Sequence, residues 1–348
     1  MRTVGMALLV WLCAVSAQAA DKLAFGPPPA WVQSSSTAAK PLTDEGGGGL
    51  RLLRLDQQFR FGAEGVSSYV ERVSVARTGM GLMVLGTVTL NWDPVLESVT
   101  VHKLHIRRGD QTIDLLARKS FTVLRRETEL QQIVDGRLTA SLQPEDLRPG
   151  DILEFAYTTT RLDPATRGHN EAATFVAGGP QGPDVFRLRA IWPSASATVW
   201  RAGKDVPKPK VSQHNGMTEL SLQLSDFEPP KRPAGAPERF SPQLEVEVSD
   251  FRSWAEVAAT VAPQFEKATI LAPDSPLKAE AAKIRAASND PKVRAAAALK
   301  LVQEQVRYLG LLLTDGGYTP VNADTTWSRR FGECKAKARS EEHTSERV

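Results

Sequence analysis

The sequence predicts a multi-domain chain in which a β-sandwich region is followed by helices, all behind a short export signal. Three observations predict it. Between residues 51 and 250, apolar residues alternate with period two in short runs broken by turn dipeptides. From residue 251 the pattern becomes a series of capped helical segments. The first nineteen residues have a charged start, an apolar run and a small-residue end. The chain has 348 residues, 41% hydrophobic and 24% charged, which is globular composition. At roughly 100–200 residues per domain this length suits two or three domains. Lys and Arg number 43 against 40 Asp and Glu, a net charge of +3, so the basic excess of a dedicated nucleic-acid binder is missing. Two cysteines, Cys13 and Cys334, exclude a disulfide framework and a cysteine-rich zinc site. No cofactor and no metal site is expected.

The elements follow in chain order. Arg2, the apolar run Met6 to Val15 and the Ala17-Gln18-Ala19 site predict cleavage after Ala19. That run is shorter than the about 20 residues a membrane-spanning helix needs. No later stretch is long and apolar enough, so no transmembrane span is expected after signal removal. The product is expected to be exported, in the periplasm or cell envelope, with Cys334 as its one thiol. Residues 20–50 read as an extended leader: Gly26-Pro27-Pro28-Pro29 suits neither helix nor central strand, and Gly46 to Gly49 is a flexible joint.

Residues 51–250 form the β-rich region, with 51–160 as one unit and 185–250 as a second, either a separate domain or the completion of the first. Val70, Arg72, Ser74 and Ala76 alternate with Glu71, Val73, Val75 and Arg77, and Gly79-Met80-Gly81 reads as the turn after them. Leu153, Phe155 and Tyr157 alternate with Glu154, Ala156 and Thr158. Asp93-Pro94, Gly109-Asp110, Asp135-Gly136 and Pro149-Gly150-Asp151 supply turns. Leu162 to Pro183 is expected to be a long loop. Strands resume at Phe186 to Ala190, at Leu220, Leu222 and Leu224, and at Leu244, Val246 and Val248, with Glu228 to Pro233 as a rigid connector.

Ser253-Trp254-Ala255-Glu256 is a capping box opening the first long helix. Ser275-Pro276 and Asp290-Pro291 open two more, with proline where its missing N–H costs nothing. Ala295, Leu299, Val302, Val306 and Leu309 are expected to form the buried stripe of the third.

The histidines offer little chemistry. His102 and His105 are three apart on one predicted strand, so they are expected on opposite faces and make a poor metal pair. Glu145-Asp146 and Glu341-Glu342 read as solvated charge. Cys334 stands apart. Gly332 permits a tight turn, which places Cys334 in the first turn of a helix beginning Cys334-Lys335-Ala336-Lys337. Helix N-termini carry partial positive charge and free amides, which favour thiolate and can cradle an oxyanion. A buried structural cysteine would satisfy the same local pattern.

The stretch from Val306-Arg307-Tyr308-Leu309-Gly310 through Gly317-Tyr318-Thr319-Pro320 to Arg329-Arg330-Phe331-Gly332-Glu333-Cys334-Lys335 resembles the nucleophile region of bacterial transglutaminase-like proteins. The resemblance implies that 251–338 is the helical opening part of a papain-like α+β domain using a Cys-His-Asp triad. Cys334 would be the nucleophile. The family pattern is Gly-Asp-Cys-Lys-Asp-Lys. Here Glu333 replaces the first Asp, a mild change, and Ala336 the second, which removes a carboxylate from the cap. Pro29-Ala30-Trp31-Val32, Trp92-Asp93-Pro94, Arg108-Gly109-Asp110 and Leu147-Arg148-Pro149-Gly150-Asp151 are similar to the exported β-rich domain of unknown function that precedes such domains. Together the resemblance covers residues 27 to 338.

Beyond Ala338 the resemblance stops. Arg339-Ser340-Glu341-Glu342-His343-Thr344-Ser345-Glu346 matches the in-frame translation of a common sequencing-library adapter, so 339–348 is expected to be a non-native tail and the helix to fray there. The triad His and Asp implied by the family fall after this point, and His343, nine residues from Cys334, is no substitute. The expectation is an exported fragment whose parent is a Cys-dependent acyl transferase or peptidase acting on amide bonds of an envelope protein or peptide. This chain alone is expected to be inactive. The alternative is an envelope binding module with a degenerate Cys domain.

Overall fold

The computed structural model describes residues 22–35, 49–125, 136–309 and 318–345, without the side chains of Arg125 and 341–345. Residues 1–19 with Cys13, expected to be an export signal, and Gly46 to Gly48, Asp135 and Gly317 lie outside the described residues. The strands of the β-rich region are β1 (Ala24–Phe25), β2 (Leu50–Gly62), β3 (Gly65–Ala76), β4 (Val88–Trp92), β5 (Glu97–Arg108), β6 (Gln111–Asp114), β7 (Thr122–Arg125), β8 (Leu138–Leu142), β9 (Ile152–Arg161), β10 (Glu171–Phe175), β11 (Val185–Pro193), β12 (Val199–Ala202), β13 (Lys210–His214), β14 (Met217–Ser225) and β15 (Glu245–Ser249). A short helix, α1 (Gly79–Leu85), lies between β3 and β4.

One nine-stranded sheet organises the region in the order β1-β5-β9-β3-β2-β11-β14-β13, with β6 on β5. Two three-stranded sheets, β4-β8-β7 and β10-β15-β12, complete it. Residues paired across a ladder share a face. By that rule Leu104, Phe155, Arg72, Leu55 and Phe186 point the same way across five strands. Both small sheets pack on this face. Val88, Leu90 and Trp92 of β4 and Leu138, Ala140 and Leu142 of β8 enclose one core with Leu104, Ile106, Leu153 and Phe155. Val246 and Val248 of β15 enclose a second with Phe186, Leu188, Ala190 and Leu220.

The other face carries a polar ladder. Asp56, Gln58, Glu71 and Arg189 are buried there. Glu71 bonds Arg54 at 2.9 Å and Lys103 at 2.7 Å, and Arg187 reaches Asp56 at 3.0 Å. The leader lies across this face: β1 pairs with β5, the Gln33 N–H donates to Gln58 Oε1 at 3.0 Å, and Arg189 donates to the Trp31 carbonyl at 2.8 Å. Burial raises the Asp56 carboxyl above its usual range despite Arg187. Burial also acts on Glu71, but Lys103 and Arg54 outweigh it and hold that carboxyl low.

Several expectations are corrected. Of the two readings of 185–250, the completion of the first unit holds and the separate domain does not, because β11 pairs in parallel with β2 inside the same sheet. Gly79-Met80-Gly81 opens α1 instead of a turn. The expected loop 162–183 contains β10, whose pairing with β15 is long-range and invisible to local composition. His102 and His105 share a face, because a bulge between Val101 and Lys103 shifts the alternation by one. They still hold different partners: His102 bonds the Gly26 carbonyl and Thr158, and burial lowers its pKa.

The helical part comprises α2 (Trp254–Ala268), α3 (Pro276–Ala287), α4 (Pro291–Gln305), β16 (Arg307–Tyr308), α5 (Ala323–Arg329), β17 (Phe331–Gly332) and α6 (Cys334–Ser345). Ser253, Ser275 and Asp290 cap their helices as their positions dictate. Glu256 reaches the Arg252 amide instead of that of Ser253. Leu277, Val302, Val306, Ala323 and Trp327 form a separate small core. The expected α4 stripe is rotated: Ala298 and Val302 are buried while Ala295 and Leu299 are exposed.

Candidate functional site

Cys334 is the first residue of α6, and its side chain is exposed. What presents it there is local. Asn322 accepts from the Thr325 amide at 2.8 Å and starts α5. Arg330, with φ of 59°, ends that helix in the left-handed conformation, and its guanidinium lies 3.8 Å from the Trp327 ring centre. The chain then extends through β17, which pairs in parallel with β16. Glu333 follows and α6 begins. Gly332 is needed for closeness and not for a turn: a Cβ there would sit 2.9 Å from Thr326 Cγ2 and 3.2 Å from Ala336 Cβ.

Glu333 is the feature the sequence did not disclose. It is 2% exposed, and its carboxylate caps α6, accepting from the Lys335 amide at 2.7 Å and the Ala336 amide at 2.9 Å. The Lys335 ammonium pairs with it at 3.1 Å, and the Cys334 thiol donates to the same Oε2 at 3.4 Å. Two first-turn amides are therefore occupied by a neighbouring carboxylate, not free to hold an oxyanion. The cap does not suffer from Ala336, which is fully buried against Gly332 and whose N–H the Glu333 carboxylate takes. An aspartate at 336 would place a second carboxylate beside the first.

Behind the cysteine, α6 packs on α3, α4 and α5. Lys337 Nζ donates to the Val306 carbonyl at 2.7 Å, fastening α6 to the end of α4. The helix does not fray at Ala338: it runs to Ser345, with Ser340 buried and Arg339 5.6 Å from the Phe265 ring centre. The Tyr318 hydroxyl donates to Glu171 on β10 and Thr319 bonds Gln264 of α2, so burial and that carboxylate push the Tyr318 phenol up. The Tyr318 bond ties the helical part to the β-rich region.

The described histidine with a carboxylate partner at hydrogen-bond distance is His169, bonded to Asp250 at 2.8 Å and stacked on Phe251 at 4.1 Å. Its surroundings are β10 and the start of α2, whereas β17, α5 and Glu333 frame Cys334. Among the described residues no cluster of three or more His, Cys, Asp or Glu is placed to hold a metal, and no helix is long and apolar enough to cross a membrane.

Residues 64–231 match DUF3857, a domain of unknown function with a solved structure. No curated protein matches the chain. Among solved structures, the chain is similar to a candidate protease of Parabacteroides distasonis, with a TM-score of 0.68 at 12% identity over 86% of this chain. This chain spans 58% of that protein's length, and the likeness is one of fold. An M1 zinc metallopeptidase of Deinococcus radiodurans aligns with 58% of this chain and 43% of its own at 16% identity, but a TM-score of 0.29 carries nothing over to this chain.

Proposed function

We propose that this chain is the leading part of an exported Cys-dependent acyl-transfer protein that acts on amide bonds of a protein or peptide. Cys334 is the nucleophile in this proposal. The observation that carries it is the exposure of the thiol at the first residue of α6 while the helix behind it is packed on three others. A helix end held in this way fixes the sulfur without covering it. The fold likeness to a candidate protease supports the same class.

In the proposed reaction the Cys334 thiolate attacks the amide carbonyl and forms a C–S bond. The tetrahedral intermediate expels the amine, which leaves with a proton from a general acid, and a thioester remains. Water resolves the thioester in a peptidase or amidase, and a second amine in a transglutaminase. The Cys334 thiol donates to Glu333, and in this proposal the base and its orienting group are supplied by residues that follow this segment in a longer protein.

One observation favours the competing function, a binding module with a degenerate Cys domain: the Glu333 carboxylate occupies two first-turn amides, those of Lys335 and Ala336. A fluorogenic peptide-amide assay on the full-length protein separates the two. Turnover abolished by Cys334→Ala supports acyl transfer. No turnover with a thiol inert to iodoacetamide supports binding alone. Turnover by the 348-residue chain itself would refute the need for residues beyond it.

A further inference from the structure

We propose that the groove bounded by α1, the start of β4 and the turn at Pro180 binds one medium-chain fatty acid, its carboxylate held by Arg72 and Ser74. This does not depend on the chemistry of Cys334.

The groove has a volume of about 1060 Å³, at the upper end of small-molecule sites. Its floor is two rows of side chains on one face of the large sheet. Leu55, Arg72 and Phe155 are paired across β2, β3 and β9, and Leu52, Ser74 and Leu153 form the row beside them. The lining contains no acidic residue. Of its two arginines, Arg51 is paired with Asp184. Arg72 is exposed, and among the described residues it has no ion pair or hydrogen bond. An uncommitted guanidinium on an apolar floor is complementary to a carboxylate, which it binds through two parallel N–H bonds.

Ser74 is the second, independent observation. It lines the groove and is only 8% exposed, yet its hydroxyl has no hydrogen bond to any described residue. A buried hydroxyl without a partner is costly, and a ligand oxygen relieves it. Arg72 and Ser74 are two residues apart on β3, so they share a face with about 7 Å between their backbones. The long stem of Arg72 lets its guanidinium meet a carboxylate that Ser74 also reaches.

What lies beyond these donors sets the rest of the ligand. In one direction the floor stops, because the next row, Gln57, Val70 and Tyr157, does not line the groove. In the other it continues to Leu50, which pairs with Ala76, and then to α1. That helix is seated closely on the start of β2: the Arg77 amide donates to the Gly49 carbonyl at 2.8 Å, and a Cβ on Gly81 would lie 1.8 Å from the same oxygen. Met80 and Val84 of α1 are exposed apolar side chains of the lining. Ala76 is four residues from Arg72 on β3, about 13 Å along the strand. An extended alkyl chain advances about 1.25 Å per carbon, so about eleven carbons cover that floor, the tail of dodecanoate. An acyl chain brings no N–H or C=O group to these apolar walls, as a peptide would.

The test is isothermal titration calorimetry of the protein with dodecanoate kept below micelle-forming concentrations. One molecule is expected to bind per chain. Dodecyltrimethylammonium, the same chain with the opposite charge, should bind at least about tenfold more weakly. Octanoate, four methylenes shorter, should also lose at least about tenfold. Arg72→Gln should abolish the preference for the anion. Ser74→Ala should weaken dodecanoate about threefold without lowering thermal stability, since the hydroxyl it removes has no partner to lose. Val84→Glu, which sets a carboxylate on the wall, should weaken dodecanoate about tenfold. Arg72 and Val84 are exposed, so circular dichroism should be unchanged in their variants. No binding below about 1 mM, equal affinity for anion and cation, equal affinity for octanoate and dodecanoate, or a preference that survives Arg72→Gln would overturn the proposal. So would uptake onto anionic lipid vesicles with no binding of free dodecanoate, which would make this face a membrane contact.

Discussion

Replacing Glu333 with alanine should open the start of α6. The carboxylate accepts from two first-turn amides, at 2.7 and 2.9 Å, and pairs with Lys335 at 3.1 Å. Removing an N-cap acceptor costs about 1–2 kcal/mol. Removing a negative charge from a helix N-terminus costs about 0.3–1 kcal/mol more. Desolvation of the buried carboxylate, relieved in the variant, offsets part of this. The net loss is about 2 kcal/mol, equivalent to roughly 30-fold in an opening equilibrium. Native-state hydrogen exchange reads this locally: amides through α6 should exchange roughly 30-fold faster, while those of β3 and β9 stay unchanged. Glu333→Asp keeps a carboxylate at the cap and should lose about 1 kcal/mol or less. Unchanged α6 exchange in the alanine variant, or equal damage from Asp and Ala, would refute the capping role.

Three further outcomes are expected. Trp92→Ala, at a fully buried position in the β4-β8-β7 core, should cost about 3–5 kcal/mol in urea denaturation, and a loss below about 1 kcal/mol would be inconsistent with its packing. Gly65→Ala should cost more than about 2 kcal/mol, because φ is +94° and the new Cβ would meet the Arg161 carbonyl oxygen at 2.0 Å; a neutral effect in the same assay would contradict that contact. Asp151, held below the usual carboxylate range by the Arg108 fork at 2.9 and 2.6 Å, contributes stability that is present above about pH 3.9 and lost as pH falls through its depressed folded value. Asp151→Asn should therefore flatten the acid limb of thermal stability against pH, and an unaltered limb would show that the pair is not coupled to folding.

Much of the β-rich architecture was legible because its signals are local. Leu153 and Phe155 face one core because a strand alternates, and Gly109 and Gly150 turn where positive φ is required. Ser253, Ser275 and Asp290 capped their helices because capping is decided within three residues. The placement of Cys334 at the head of α6 was legible for the same reason.

What the sequence determined by itself is thus several of the strands, the three capped helices and which residue heads α6. Tertiary structure alone decided what surrounds them. The pairing of β11 with β2 merged two apparent units, since sequence carries no local mark of which strands become neighbours. The bulge in β5 turned His102 onto the face of His105, because one extra residue reverses every later side chain. Glu333 became a buried cap, holding the Lys335 and Ala336 amides where α6 packs on α3, α4 and α5. Among the described residues Arg72 has no ion pair, and its place on a groove floor between Leu55 and Phe155 is fixed by the pairing of β3 with β2 and β9 and not by the residues beside it in sequence.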